Sequence, residues 1–161
     1  MEFVQGEISL DDISGGTLGA GVIPLARMLR AEEYAENVAD VTVTAGGTEI
    51  VALSSMTLVA GDRVLVMAQF DGLKGAVNGG LQISINKWAG TAVGVFAASL
   101  GSVFFEQYIG ATKSVGATLV GFWRCTTGGT ATFSLRGVSE VSDFECPALM
   151  CEIHAIALIG A

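Results

Sequence analysis

At 161 residues the chain has the size of one domain and can bury a substantial core. A net charge of −8 and a pI near 4.4 argue against direct binding to nucleic acid. Only 15% of the residues are charged and 51% are hydrophobic. No apolar run is long enough for a transmembrane helix, so no membrane partner is expected. We expect instead that part of the apolar surface is buried between subunits.

Residues 1–38 differ in character from the rest and are interpreted as an N-terminal arm. Half of the 16 acidic residues of the chain lie in residues 1–40. After Pro24, the i, i+3, i+4 spacing of Leu25, Met28 and Leu29 predicts a short helix over Leu25–Asn37. The many apolar residues of this segment favour an arm that docks on something, and a disordered tail with a nascent helix is the alternative.

From Ala39 onward, short apolar segments alternate with glycine turns and predict eight to ten strands. In Thr130–Arg136, Ala131, Phe133 and Leu135 alternate with polar residues, the period of a half-buried strand, after the turn pair Gly128-Gly129. The predicted strands are 40–44, 49–53, 56–59, 63–70, 81–86, 93–96, 103–108, 117–124, 130–136 and 150–158. Residues 39–161 are therefore predicted to form an all-β domain, a β-sandwich or jelly roll.

The last predicted strand separates into two faces. Cys151, Ile153, Ala155, Ala157 and Ile159 share one face, and Glu152, His154, Ile156 and Leu158 share the other. Both faces become apolar toward the C-terminus, which indicates a strand covered on both sides. Either a second sheet or a neighbouring subunit about a symmetry axis would provide that cover.

The residues that catalysis or metal binding needs are sparse, and no enzyme activity and no cofactor are expected. His154 is the only histidine, and Cys151, three residues away, would point to the opposite side of a strand. Cys125, Cys146 and Cys151 are odd in number and match no zinc spacing, so we expect reduced, buried thiols. Because no basic and apolar leader follows Met1, no signal peptide is predicted and assembly in a reducing cytoplasm is expected.

The two tryptophans differ in context. Trp123 lies in an apolar strand and is predicted to belong to the core. Trp88, between Lys87 and Ala89-Gly90, is the better candidate for an exposed ring that contacts a ligand or partner.

Three segments of residues 40–161, about three quarters of the chain, carry a resemblance to a known family. They are Ser55–Phe70 (SMTLVAGDRVLVMAQF), Ala117–Arg136 (ATLVGFWRCTTGGTATFSLR) and Cys151–Gly160 (CEIHAIALIG). Together they resemble the jelly rolls of the tumour-necrosis-factor and complement type, as found in virion proteins of tailed phages. The resemblance implies a homotrimer with a structural role on the virion. It also implies that the protein is made in the host cytoplasm.

Within that family the sequence favours a head decoration, or cement, protein that binds the outer capsid surface as a trimer and stabilises it. The expected partners are two further copies of the chain and the major capsid protein or another virion protein. The expected attachment residues in the arm are Phe3, Val4, Ile8, Leu10, Leu25, Met28 and Leu29. The expected trimer contacts are Ile153, His154, Ile156 and Leu158. The alternative is a receptor- or glycan-binding knob or tail-tip module that uses Trp88 and the loop 138–146.

Overall fold

A computed structural model of the chain describes residues 29–74, 79–89, 96–107, 113–140 and 144–160. These residues form eleven β-strands and no helix. The strands are β1 (Leu29–Glu36), β2 (Val41–Val43), β3 (Thr48–Ala52), β4 (Met56–Leu58), β5 (Arg63–Lys74), β6 (Gly79–Ala89), β7 (Phe96–Gln107), β8 (Lys113–Arg124), β9 (Gly129–Ser139), β10 (Phe144–Cys146) and β11 (Glu152–Leu158).

The strand pairing is that of a jelly roll. β1 pairs with β11, β4 with β9, β5 with β8 and β6 with β7, all antiparallel, so the pairs are nested as in one long hairpin. Rolling up this hairpin joins β11 to β5 in a six-stranded sheet A, and β9 to β6 in a five-stranded sheet B. The prediction of an all-β jelly-roll sandwich is thereby confirmed.

The core lies between the two sheets and is built from alternate residues of each strand. On β11, Ile153, Ala155 and Ala157 are buried, and on β9 Phe133 and Leu135 are buried, as the period of two predicts. The polar side of β9 departs from the prediction, because Thr132 and Ser134 are also buried. Strand β9 is covered on both faces, and is therefore not the half-buried strand that its sequence pattern indicates.

The predicted helix is wrong in its described part. Leu29–Glu36 forms β1, an edge strand of sheet A whose residues alternate between half-buried and exposed. Its backbone pairs with β11 from Leu29 to Glu36, and this pairing supplies the hydrogen bonds that a short isolated helix could not keep in water. Residues 29–38 therefore belong to the sandwich, and the arm boundary at residue 38 is too late. Residues 1–28 lie outside the described part.

Two strand assignments also need correction. The predicted strands 93–96 and 103–108 are not separate where they are described, because one strand, β7, runs from Phe96 through Gly101 to Gln107, and residues 93–95 and 108 lie outside the described part. Phe144–Cys146, which the sequence places in an acidic loop, is strand β10 between β5 and β2. Both errors arise because pairing with a neighbouring strand outweighs local propensity.

The predicted burial of the three cysteines is confirmed. Cys125, Cys146 and Cys151 are free and buried. The contact with Cys151, together with burial, raises the pKa of the Cys146 thiol. The described residues contain no helix suited to crossing a membrane and no cluster of three or more metal-binding side chains.

Candidate functional site on the outer face of sheet A

The side of sheet A that points away from the core carries an ordered array of side chains. Strands β1, β11, β5 and β8 lie side by side, so residues in register form rows across the sheet. The two central rows, which we call the outer face, are Glu32, Ile156, Leu65 and Phe122, and Tyr34, His154, Met67 and Val120. Most of these eight side chains are apolar or aromatic, although the core lies on the other side of the sheet.

Several large apolar side chains of this region are open to solvent. Phe122 is 76% exposed, Tyr34 55% and Val120 51%, and Leu158 lies in the next row. A contiguous apolar patch of this kind is uncommon on a soluble monomer and marks a surface that contacts a partner. The outer face is therefore the strongest candidate for a functional surface in the described part of the chain.

Charged residues flank the apolar rows, with acidic side chains at one end of the outer face and basic side chains at the other. Glu36 and Glu152 are strand partners in the row beyond Tyr34 and His154. Arg63 and Arg124 are strand partners in the row beyond Phe122, and both are exposed. The outer face thus has carboxylates on the β1 side and guanidinium groups at the β5–β8 corner.

Tyr34 lies between the two carboxylates of that acidic row. Its hydroxyl is 3.0 Å from Oε2 of Glu152 and 3.3 Å from Oε2 of Glu36, and it can donate to either oxygen. The hydrogen bond to Glu152 is the largest cause that raises the pKa of Tyr34. The hydroxyl therefore remains protonated and continues to act as a donor between two like charges.

His154 is held by two neighbours on β1. Its Nε2 lies 2.8 Å from Oε1 of Glu32, and its ring meets the ring of Tyr34 edge-on at 6.3 Å between centroids. Cys151, which directly precedes β11, is buried on the core side, as the alternation predicts. His154 and the thiol of Cys151 therefore lie on opposite sides of sheet A, and the contacts with Glu32 and Tyr34 orient the His154 ring within the outer face.

The structure separates the predicted trimer contacts. His154, Ile156 and Leu158 point outward with the apolar rows. Ile153 is wrong as an interface residue, because it is fully buried among the side chains between the two sheets. Of the predicted attachment residues, only Leu29 is described; it lies on β1 and pairs with Leu158 on β11. The others lie outside the described residues: Phe3, Val4, Ile8, Leu10, Leu25 and Met28.

Trp88 is not the exposed aromatic that the sequence predicts. It is 6% exposed, and its Nε1 donates a 2.6 Å hydrogen bond to Oγ of Ser134 on the neighbouring strand β9. The guanidinium of Arg136 lies 6.0 Å from its ring centroid. Trp88 is thus part of a packed polar cluster on sheet B, and the ligand-binding alternative loses its predicted aromatic residue.

Two exposed residues of the outer face, Val120 and Phe122, were not among the predicted contacts. Val120 and Phe122 belong to a predicted strand whose apolar run suggests burial on both sides. The two faces of this strand differ at Gly121, which lies on the core side of sheet A. A side chain at this position would clash with Leu100. Val120 and Phe122 therefore point outward, on the opposite side of the strand from Leu119.

Comparisons with known proteins add a fold neighbour only. No protein-family model matches the chain, and no curated protein matches it. The chain is similar to a solved structure of Eiger TNF from S. frugiperda, with 10% sequence identity and a TM-score of 0.46. That similarity covers 84% of this chain and 96% of the other.

Proposed function

We propose that the protein is a structural subunit that assembles as a homotrimer through the outer face of sheet A. The exposed apolar rows centred on Phe122 are the observation that carries the proposal. Burying one phenylalanine side chain that is exposed in the monomer is worth about 2 kcal/mol. Three copies repeat this contribution, and Leu65, Met67, Val120 and Ile156 extend it over a continuous surface.

The charges favour a cyclic arrangement of identical copies. In a ring of subunits, the β8 side of one copy packs toward the β1 side of the next. That packing brings Arg124 of one copy toward the carboxylates of Glu32 and Glu36 on its neighbour. Opposite charges at the margin of an apolar interface set its orientation and disfavour incorrect pairings.

The proposal extends to the role that the family resemblance implies, a cement protein on the outer capsid surface. The resemblance, the small fraction of charged residues and the acidic, apolar-rich residues before Leu29 support it. In this role the trimer is the scaffold, no chemical reaction is performed, and the residues before β1 contact the major capsid protein. Small contacts repeated over a shell then add up to a large stabilisation.

Phe122→Ser is the variant that tests the assembly. We expect the wild-type chain to show three times its 16.5 kDa mass by light scattering. The variant should be monomeric at the same concentration, because it loses about 2 kcal/mol per copy, or roughly 30-fold in affinity per contact. Phe104→Ser is the matched control, because Phe104 is also an exposed phenylalanine (55%) but lies on sheet B.

The control should remain trimeric, and circular dichroism should show that both variants are folded. A monomeric wild-type chain would contradict the proposed trimer. A Phe122→Ser variant that stays trimeric would show that another surface forms the contact.

Deletion of residues 1–28 tests the attachment to a capsid. The deletion must end before Leu29, because a longer one removes β1 and disturbs sheet A. We expect the shortened chain to keep its oligomeric mass but to lose co-sedimentation with capsids of the encoding phage. Retained capsid binding would contradict attachment through this segment, and binding to host cells in place of capsids would favour the receptor-binding alternative.

A further inference from the structure

One end of the sandwich carries a cleft that has no part in the proposed assembly. It has a volume of about 230 Å³ and lies between the ends of β6 and β8 and the turn that joins β8 to β9. Leu58, Trp123 and Ala131 supply apolar walls, and Thr126, Thr130 and the backbone of Gly128 supply polar groups. Mixed lining of this kind, apolar walls with a few polar groups, is typical of small-molecule sites.

The electrostatics of the cleft are opposite to those of the whole chain. Among the described residues that line it, Lys87 is the only charged one and none is acidic. The ammonium of Lys87 lies 4.4 Å from the centroid of the Trp123 ring. In the described part of the chain Lys87 takes part in no ion pair, although the protein has 16 acidic residues and only 8 basic ones.

The wall of the cleft is held in place by the backbone. The amide of Gly61 donates to the carbonyl of Cys125 at 2.7 Å, and the amide of Cys125 donates to the carbonyl of Asp62 at 2.8 Å. The Cys125 thiol contacts the carbonyl of Thr127 at 3.1 Å, within the turn itself. A wall fixed in this way loses little conformational entropy when a ligand binds.

We propose that this cleft binds a small organic carboxylate. The Lys87 ammonium would donate a charge-assisted hydrogen bond to the carboxylate, and the threonine hydroxyls can donate to its second oxygen. The apolar body of the ligand would lie against Leu58 and Trp123. An inorganic anion could use the ammonium but not the apolar walls, so an organic acid fits the whole cleft better.

Benzoate, benzamide and inorganic phosphate are the probes that test this site by NMR titration of the full chain. Benzoate should shift the Trp123 indole and the Gly128 and Gly129 amides in a saturable manner. Benzamide, which has the same shape without the charge, should bind at least about tenfold more weakly, the loss expected for one charge-assisted hydrogen bond. Phosphate should cause only weak shifts.

Lys87→Met should abolish the benzoate response while preserving the aliphatic contact with Trp123, and Lys87→Arg should keep it. Lys74→Gln is the control for net charge, because Lys74 lies at the opposite end of β5 from Val64, the strand partner of Trp123. Thermal unfolding would show whether each variant is folded. Three results would overturn the proposal: equal binding of benzoate and benzamide, an unchanged response in Lys87→Met, or no saturable shift. The role of Lys87 would then be limited to its packing against the Trp123 ring.

Discussion

Asn37→Asp is expected to destabilise the protein by about 3–5 kcal/mol. Asn37 follows β1 and is 4% exposed. Its Nδ2 donates to the carbonyls of Pro147 at 2.7 Å and Ala39 at 3.1 Å, and its Oδ1 accepts from the amides of Cys151 at 2.8 Å and Met150 at 3.2 Å. Aspartate keeps the acceptor, but it loses both donors and places a buried carboxylate against two carbonyl oxygens.

The free energy of unfolding in urea measures this loss. Asp40→Asn is the matched control in the same region, because the exposed Asp40 accepts one hydrogen bond from the amide of Ala148 and an amide oxygen can replace its carboxylate. The control should change the stability by less than about 0.5 kcal/mol. If Asn37→Asp does not fold, Asn37→Ser keeps a small polar group for measurement. Equal effects at both positions would contradict the role assigned to Asn37.

Asp62→Asn is expected to cost about 2–4 kcal/mol at neutral pH and to weaken the dependence of stability on acid. Asp62 is 1% exposed, and its Oδ2 accepts from the Val59 amide at 2.8 Å and from Nε of Arg30 at 3.0 Å. Its Oδ1 accepts from the Gly160 amide at 3.3 Å. One carboxylate thus connects the start of β1, the turn before β5 and the chain after β11.

The pH dependence follows from the pKa of Asp62. Burial alone would raise this pKa, but the hydrogen bonds from Val59 and Arg30, with smaller contributions from Gly160 and the Arg30 charge, outweigh burial and lower it. A carboxyl group whose pKa is lower in the folded state stabilises the fold above its unfolded pKa of about 3.9, and this stabilisation disappears as pH falls through the folded pKa. The wild-type protein should therefore lose stability below about pH 4.

Urea unfolding at pH 7 and pH 3 measures both parts of this expectation. Asp62→Asn should be much less stable than the wild type at pH 7 and closer to it at pH 3. Asp71→Asn is the control, because Asp71 uses its carboxylate for one exposed hydrogen bond with Ser114. A constant difference between Asp62→Asn and the wild type at both pH values would show that shape and not charge accounts for the effect.

Much of the fold was predictable, because successive residues of a strand point to opposite faces of the sheet. Phe133 and Leu135 on β9, and Ile153 and Ala155 on β11, are buried as their spacing indicates. The burial of the three cysteines was equally predictable, because their neighbours in the sequence are apolar or strand-forming. The separation of Cys151 and His154 onto opposite faces followed from the same period of two.

The candidate site was predictable only in part. His154, Ile156 and Leu158 were found from the last strand, whereas Phe122, Val120 and Tyr34 were not. The sequence shows that a strand has two faces, but not which neighbours cover each face. The burial of Trp88 could not be predicted for the same reason. Trp88 is hydrogen-bonded to Ser134 on the neighbouring strand β9, which is 46 positions away in the chain.

The amino-acid sequence thus determined the all-β class, the approximate strands and the alternation within them, since these depend on residues next to one another. The tertiary structure alone decided that Leu29–Glu36 is a strand and not a helix, that Trp88 is buried, and that Phe122 points to solvent. Each of these outcomes depends on a partner strand that is distant in sequence. Hydrogen bonds and burial contributed by such a partner exceed the small local preferences that a single segment carries.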